Sequence, residues 1–435
     1  MKPRADKTWL AQLIRAVTEA ERAPVALGDH AAFKAWQAAE LAQRGFAAGA
    51  LTDALAPLGW SGRAQGFADY CLLNATAHLL SLGDALVRGS QPGLPRLHRA
   101  HRLLDMLAWL VDDPGAREAL ERLDRGTDDG DTRTVVVSLG GRLAERALEP
   151  GHPLLGHPFH QLLLYGDAWL FTEIAWPVAL APHGEVDEAA LVRAQGEAGV
   201  TVYEAISACV ALAAADGRVD GDERRLLDAL TEAAGLDDTE RAMLKGEVAD
   251  PPTVEALAAQ ISDPAQQAFV VRLLFLTAFI NGDLDDAERA FVEGLAAAFG
   301  HDPAVTQRAE YEALGSYQAF AALPVGLSLS GLIARARRRL TGRLEGLLQS
   351  NAVRIWDEVK ETGELAQLLL REAAGEPGSP EQRERAMAQL KDLARVVPAL
   401  AIFAAPGGSI LLPLLAKHLP IDLRPSSFKG DDPAI

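Results

Sequence analysis

Two short acidic stretches hold the residues best suited to chemistry in this chain. Residues 213–227 read A-A-A-D-G-R-V-D-G-D-E-R-R-L-L, and residues 278–292 read A-F-I-N-G-D-L-D-D-A-E-R-A-F-V. Displaced by 65 residues, they superpose Asp216 on Asn281, Gly217 on Gly282, Asp220 on Asp285, Glu223 on Glu288 and Arg224 on Arg289. Carboxylate and amide oxygens are hard donors, and clustered they suit calcium or another hard divalent cation. Gly217 to Glu223, and Gly282 to Glu288, keep the distance between positions 6 and 12 of a calcium loop. Positions 1 and 3 of that loop fall on Leu212 and Ala214 in one copy, and on Thr277 and Phe279 in the other. Neither copy is therefore a complete EF-hand. The candidate metal ligands are Asp216, Asp220, Glu223, Asn281, Asp285 and Glu288, pooled from two half-loops around one cation. The same spacing has a second meaning. An Asp three residues before a Glu is a capping-box pattern, and Gly217 and Gly282 permit the positive φ that closes a preceding helix. On that reading the acids cap helices and face solvent.

Each stretch follows one apolar run and precedes another, so the unit that positions the acids is helix, tight loop, helix, occurring twice. The rest of the chain agrees. Ala and Leu dominate and aromatics are only 6%, and long Ala/Leu/Glu/Arg stretches lose little rotamer freedom in a helix. No convincing β alternation occurs; the best stretch, Thr134 to Ser138, is one short run. The expected fold class is all-α and multi-domain: an N-terminal helical domain over 1–190, a pseudo-symmetric helical domain over 191–303, a helical connector over 304–395 and an apolar C-terminal segment over 396–435. Breaks are expected at Pro24, 89–95, 112–115, 126–131, 150–158 and 182–184. Residues 161–181 are apolar enough to suggest a membrane span, but Asp167, Glu173 and Pro177 interrupt them, which favours a buried core helix.

The duplicated pattern resembles the TerB-like family of tellurite-resistance proteins over roughly residues 195–303. That resemblance implies an all-helical domain of pseudo-symmetric helix pairs whose acidic residues bind a divalent cation. Asn281 departs from the Asp expected there, which removes one charge and keeps one oxygen.

The C-terminus poses a different question. Residues 396–416 read V-V-P-A-L-A-I-F-A-A-P-G-G-S-I-L-L-P-L-L-A, uncharged between Arg395 and Lys417. Such a length can span a bilayer, yet Pro398, Pro406, Gly407, Gly408 and Pro413 would break a helix. A broken transmembrane helix, an interfacial segment and a buried helical hairpin all fit. Residues 393–428 also resemble the membrane-region signature of the LETM family, through Val397-Pro398, Leu411-Leu412-Pro413, Lys417, Leu419-Pro420 and Pro425-Ser426-Ser427-Phe428. That resemblance implies membrane association, with cation exchange and ribosome binding as family properties; without the ribosome-binding-like domain that follows the signature in the family, membrane association is the property expected here. The residues expected to meet lipid are Val397, Pro398, Ile402, Phe403, Ile410, Leu411, Leu412, Pro413, Leu414 and Lys417.

Composition bounds the rest. A net charge of -18 repels phosphate, so DNA is not an expected partner. Two cysteines, Cys71 and Cys209, exclude a disulfide framework and fit a reducing compartment. The motif His157-x-x-His160 lacks the H-E-x-x-H frame, and neither a phosphate loop nor a nucleophile elbow occurs. The expectation is a non-enzymatic accessory or regulatory protein at the cytoplasmic face of a membrane, cation-responsive, in ion homeostasis or stress response, with an unidentified protein partner. A LETM-like cation transport component, and a soluble scaffold or ribosome-contacting factor, are the alternatives.

Overall fold

Helix-forming composition and frequent caps resolve into eighteen α-helices in the computed structural model, with no strand among the described residues. Those residues are 6–419 without 21–23, 26, 47–50, 61–65, 125–131, 156–158, 182–185, 283, 321–329, 374–377, 395 and 405–410. The first seven helices are α1 (Trp9–Glu19), α2 (His30–Gln43), α3 (Phe67–Ser90), α4 (Arg96–Leu110), α5 (Pro114–Asp124), α6 (Thr132–Arg146) and α7 (His160–Leu180). The middle group is α8 (Glu188–Ala213), α9 (Gly221–Ala233), α10 (Asp238–Glu247), α11 (Val254–Gln260), α12 (Pro264–Ala278) and α13 (Asp286–Ala298). The last group is α14 (Pro303–Phe320), α15 (Ser330–Val359), α16 (Gly363–Ala373), α17 (Pro380–Leu393), a 3₁₀ helix at Pro398–Ala404, and α18 (Leu412–His418).

Short polar side chains start many of these helices. Asp29, Asp187, Thr253 and Asp263 each accept a backbone N–H from the first turn, and Asp237 and Ser379 form full capping boxes. Each such cap stabilises a helix by about 1 kcal/mol. Thr134 to Ser138 lies inside α6: Val135, Val136 and Leu139 recur at helical spacing and are buried, so packing overrides their β propensity.

The centre of the N-terminal group is α7, which packs on α2, α3, α4 and α8. Phe171, Ile174, Ala175 and Val178 are fully buried, so residues 161–181 form the core helix that the sequence favours. The charges along it have partners: Arg146 Nε donates to Asp167 at 2.9 Å and Lys34 Nζ meets Glu173 at 2.7 Å. Deeper still, Asp84 is wholly buried on α3 and is held by Arg88 at 2.7 Å and Arg99 at 2.9 Å. One helix among the described residues, α8, is long and apolar enough to cross a membrane; here it packs against α7 and α12.

In the C-terminal segment, several of the residues expected to meet lipid pack against helices. The 3₁₀ helix at Pro398–Ala404 packs on α14, α15 and α17, and α18 packs on α15 and α16. Val397, Ile402, Phe403, Leu411 and Leu412 are buried in protein, Pro398 and Leu414 are half-buried, and Pro413 and Lys417 are exposed to solvent. Ile410 lies outside the described residues. The physical reason is local. Gly315 of α14 has no side chain, and a Cβ there would stand 2.2 Å from the carbonyl oxygen of Ile402. The two backbones therefore meet directly, and the described part of the apolar strip packs on α14 and α15, distant in sequence, as well as on its neighbour α17. Each such buried leucine or phenylalanine contributes about 1.5–3 kcal/mol. Pro413 sits in the first turn of α18, where its missing N–H costs nothing, and Lys417 Nζ stands 3.6 Å from Glu345.

Candidate functional site

The two acidic stretches fold alike. In the first, α8 ends at Ala213, Gly217 takes φ 82°, and Asp220 caps α9. Asp220 Oδ1 accepts the N–H groups of Asp222 at 2.7 Å and Glu223 at 2.8 Å, while Glu223 Oε2 accepts the Asp220 N–H at 2.8 Å. In the second, α12 runs into a 3₁₀ turn at Phe279–Asn281, Gly282 takes φ 89°, and Asp285 caps α13. Asp285 Oδ1 accepts the Glu288 N–H at 2.8 Å and Glu288 Oε2 accepts the Asp285 N–H at 3.0 Å. Both stretches are thus complete capping boxes, as their spacing permits.

The fold also brings the two boxes together. Asp216, Asp220 and Glu223 from the first copy, with Asp285 and Glu288 from the second, line one cleft of about 360 Å³. The backbone of Asn281 lies in the 3₁₀ turn, and its side chain is outside the described residues. Asp216, Asp220 and Asp285 are exposed, whereas Glu223 is 7% and Glu288 5% exposed. Arg218 also lines the cleft. Its type and position gave no signal in sequence beyond following Asp216 by two residues; its N–H donates to Asp216 Oδ1 at 2.8 Å. Among the described residues, neither Arg218 nor another basic side chain forms an ion pair with the five carboxylates.

Burial, and after it the neighbouring carboxylates, raises the affinity of the two glutamates for protons. Glu223 is pushed up to about 7, first by burial, against the pull of its capping hydrogen bond, and then by Asp220, Asp216 and Asp285. Glu288 is likewise pushed up to about 7, first by burial, again opposed by its cap, and then by Asp285, Glu223 and Asp216. Each glutamate thus feels acids of the other copy, a relation invisible in either stretch alone.

The all-oxygen donor set has the chemistry of a hard-cation site. Its arrangement is less complete: among the described residues, no group of three or more His, Cys, Asp or Glu is placed to hold a metal ion. Glu223 and Glu288 each commit one oxygen to a cap, which leaves one oxygen apiece for other work.

The fold defines an all-helical protein around a duplicated helix–loop–helix whose copies face each other across an acidic cleft. Residues 167–313 match the family model described as "Protein of unknown function (DUF533)", a TerB-like domain. The match begins inside α7 and ends inside α14, so it contains both acidic loops and the helices that flank them. The curated proteins and the solved structures compared with the chain give no match.

Proposed function

We propose that this is a non-enzymatic accessory or regulatory protein whose TerB-like segment responds to a hard divalent cation, calcium foremost. The observation that supports this most is the pairing of two capping boxes across one cleft. Five carboxylates share it, two of them buried, and no ion pair from a described basic side chain offsets them. A cation entering the cleft would relieve that repulsion, and the released charge energy would stabilise the contact between the two copies. Glu223 and Glu288 would hold it through the oxygens not used in capping, with Asp216 and Asp285 beside them; a divalent ion would supply positive charge that no described basic side chain brings by an ion pair. The burial of Val397, Ile402, Phe403, Leu411, Leu412 and Leu415 in protein supports a soluble scaffold form of this reading over a transport component.

Calorimetric titration of the full chain with calcium chloride at pH 7.5 tests the proposal. The expected result is saturable binding of about one ion per chain, abolished when Asp216 and Glu223 are both replaced by Ala. No heat from calcium, magnesium or manganese at millimolar concentration would leave the acids as helix caps alone.

A further inference from the structure

A second cavity, of about 580 Å³, lies where α3, α6, α7 and α8 meet beside the turn between α9 and α10. That volume falls in the range of about 300–1,000 Å³ typical of small-molecule sites. Helix periodicity builds its walls. Leu72, Ala75 and Leu79 lie on one face of α3, and Leu163, Leu164 and Leu170 come from α7. Leu72, Leu79 and Leu170 belong to the packed core as well, so the space opens beside the core and not in place of it. Leu163 and Leu164 remain half-buried, and water against such a wall gains little that an apolar ligand would not exceed.

The polar groups at the cavity narrow the ligand class. Arg146, at its edge, directs Nε and Nη2 to Asp167 Oδ1, so its charge is already answered. The Gln195 amide donates to the Trp109 carbonyl at 2.9 Å. Glu240 adds a further carboxylate, its Oε1 3.8 Å from where a Cβ on Gly199 would stand. His160 is neutral at pH 7, pushed down to about 4 by burial and then by His152. Burial pushes the Cys71 thiol up to about 12. Among the described residues, the site therefore offers an anionic head no unanswered cation, and it offers an uncharged one a neutral imidazole.

We infer that this cavity binds a small uncharged molecule with an apolar body and one hydrogen-bonding group, of the alcohol or ketone kind, which His160 meets. Its walls come from both sides of the point where the DUF533 match begins, so such a ligand touches α3 and α6 as well as α8.

Binding of the neutral fluorophore N-phenyl-1-naphthylamine to the full chain tests this, with 1-dodecanol, dodecanoate and dodecylamine as competitors. Expected is saturable binding displaced by dodecanol about tenfold more effectively than by either charged analogue. Two substitutions fill the space: Gly199→Leu, where an added Cβ meets nothing closer than 3.8 Å, and Ala147→Trp at a half-buried wall position. Each is expected to weaken the dye about tenfold without loss of the thermal transition. Dodecanol is also expected to slow alkylation of Cys71, which lines the cavity while Cys209 is fully buried. This last readout needs no variant to fold. Absence of saturable binding, dye affinity unchanged in a folded filled variant, dodecanoate competing as well as dodecanol, or Cys71 alkylation indifferent to dodecanol would each overturn the inference.

Discussion

The two acidic copies share a pattern and differ in what surrounds them. In the first copy, Gly217 faces open space, so a Cβ there would meet nothing within 4 Å. In the second, Gly282 is covered by α15: a Cβ would stand 2.9 Å from Arg339 Cδ and 3.0 Å from the Ala336 Cα. The arginines that close the shared pattern diverge in the same way. Arg224 is exposed, while Arg289 places two nitrogens on Glu310, at 3.2 and 3.0 Å, and Arg343 joins them at 2.6 Å. Local sequence specified one motif twice, and tertiary packing then made one copy a clamped floor and the other an open wall. The open copy is the one through which a ligand could enter and to which the cleft could adjust.

The largest expected effect of breaking this asymmetry is at the glycines. Gly282→Ala combines a left-handed backbone with a clash against α15, and should cost about 2–4 kcal/mol. Gly217→Ala carries the backbone penalty alone and should cost about 1–2 kcal/mol. Denaturant unfolding of the two variants measures the difference; equal losses would mean that α15 does not clamp the second copy. Next come the arginines. Arg289→Ala removes a two-nitrogen contact to a buried carboxylate and should cost about 1–2 kcal/mol, against less than about 0.5 kcal/mol for Arg224→Ala.

A smaller and more specific effect concerns pH. The folded-state pKa values of Glu223 and Glu288, about 7, lie above the ordinary glutamate value of 4.5. The folded chain therefore binds more protons than the unfolded chain between those values, so stability from this pair is full below about 4.5 and is lost as pH rises through 7. Without divalent ions, the pair should make the chain less stable at pH 8 than at pH 5 by on the order of 1–3 kcal/mol. Glu223→Gln with Glu288→Gln keeps an oxygen for each cap and removes the titration. The double variant should show a flatter pH profile and a higher melting temperature than the parent at pH 8. Parallel profiles for the two chains would show that the glutamates do not titrate in the fold.

Legibility followed the range of the interaction. The capping boxes and the positive-φ glycines were readable because each depends on residues within one turn. The helix breaks were readable for the same reason, since 89–95, 112–115 and 150–158 all fall at helix ends or between helices. The burial of Glu223 and Glu288 was not, because it comes from packing between copies 65 residues apart. The C-terminal segment posed the opposite problem. An uncharged run states that something must cover it and not what; Gly315, the residue that lets α14 do so, lies about eighty positions upstream of Val396 and carries no local sign of that role. His160 was set aside because its motif lacks a metal frame, and only the convergence of α3, α6, α7 and α8 gives it a cavity.

The most direct test of a shared, cation-responsive cleft is proton release. A chain held at pH 7 in a pH-stat, without buffer, is titrated with calcium chloride. Two glutamates that titrate near 7 hold about one proton between them at that pH, and a cation taking their oxygens must expel it. Uptake of about one equivalent of base per chain is expected, with none in the Glu223→Gln, Glu288→Gln double variant. No base uptake by the parent chain, or equal uptake by the double variant, would contradict a cation site shared between the two copies.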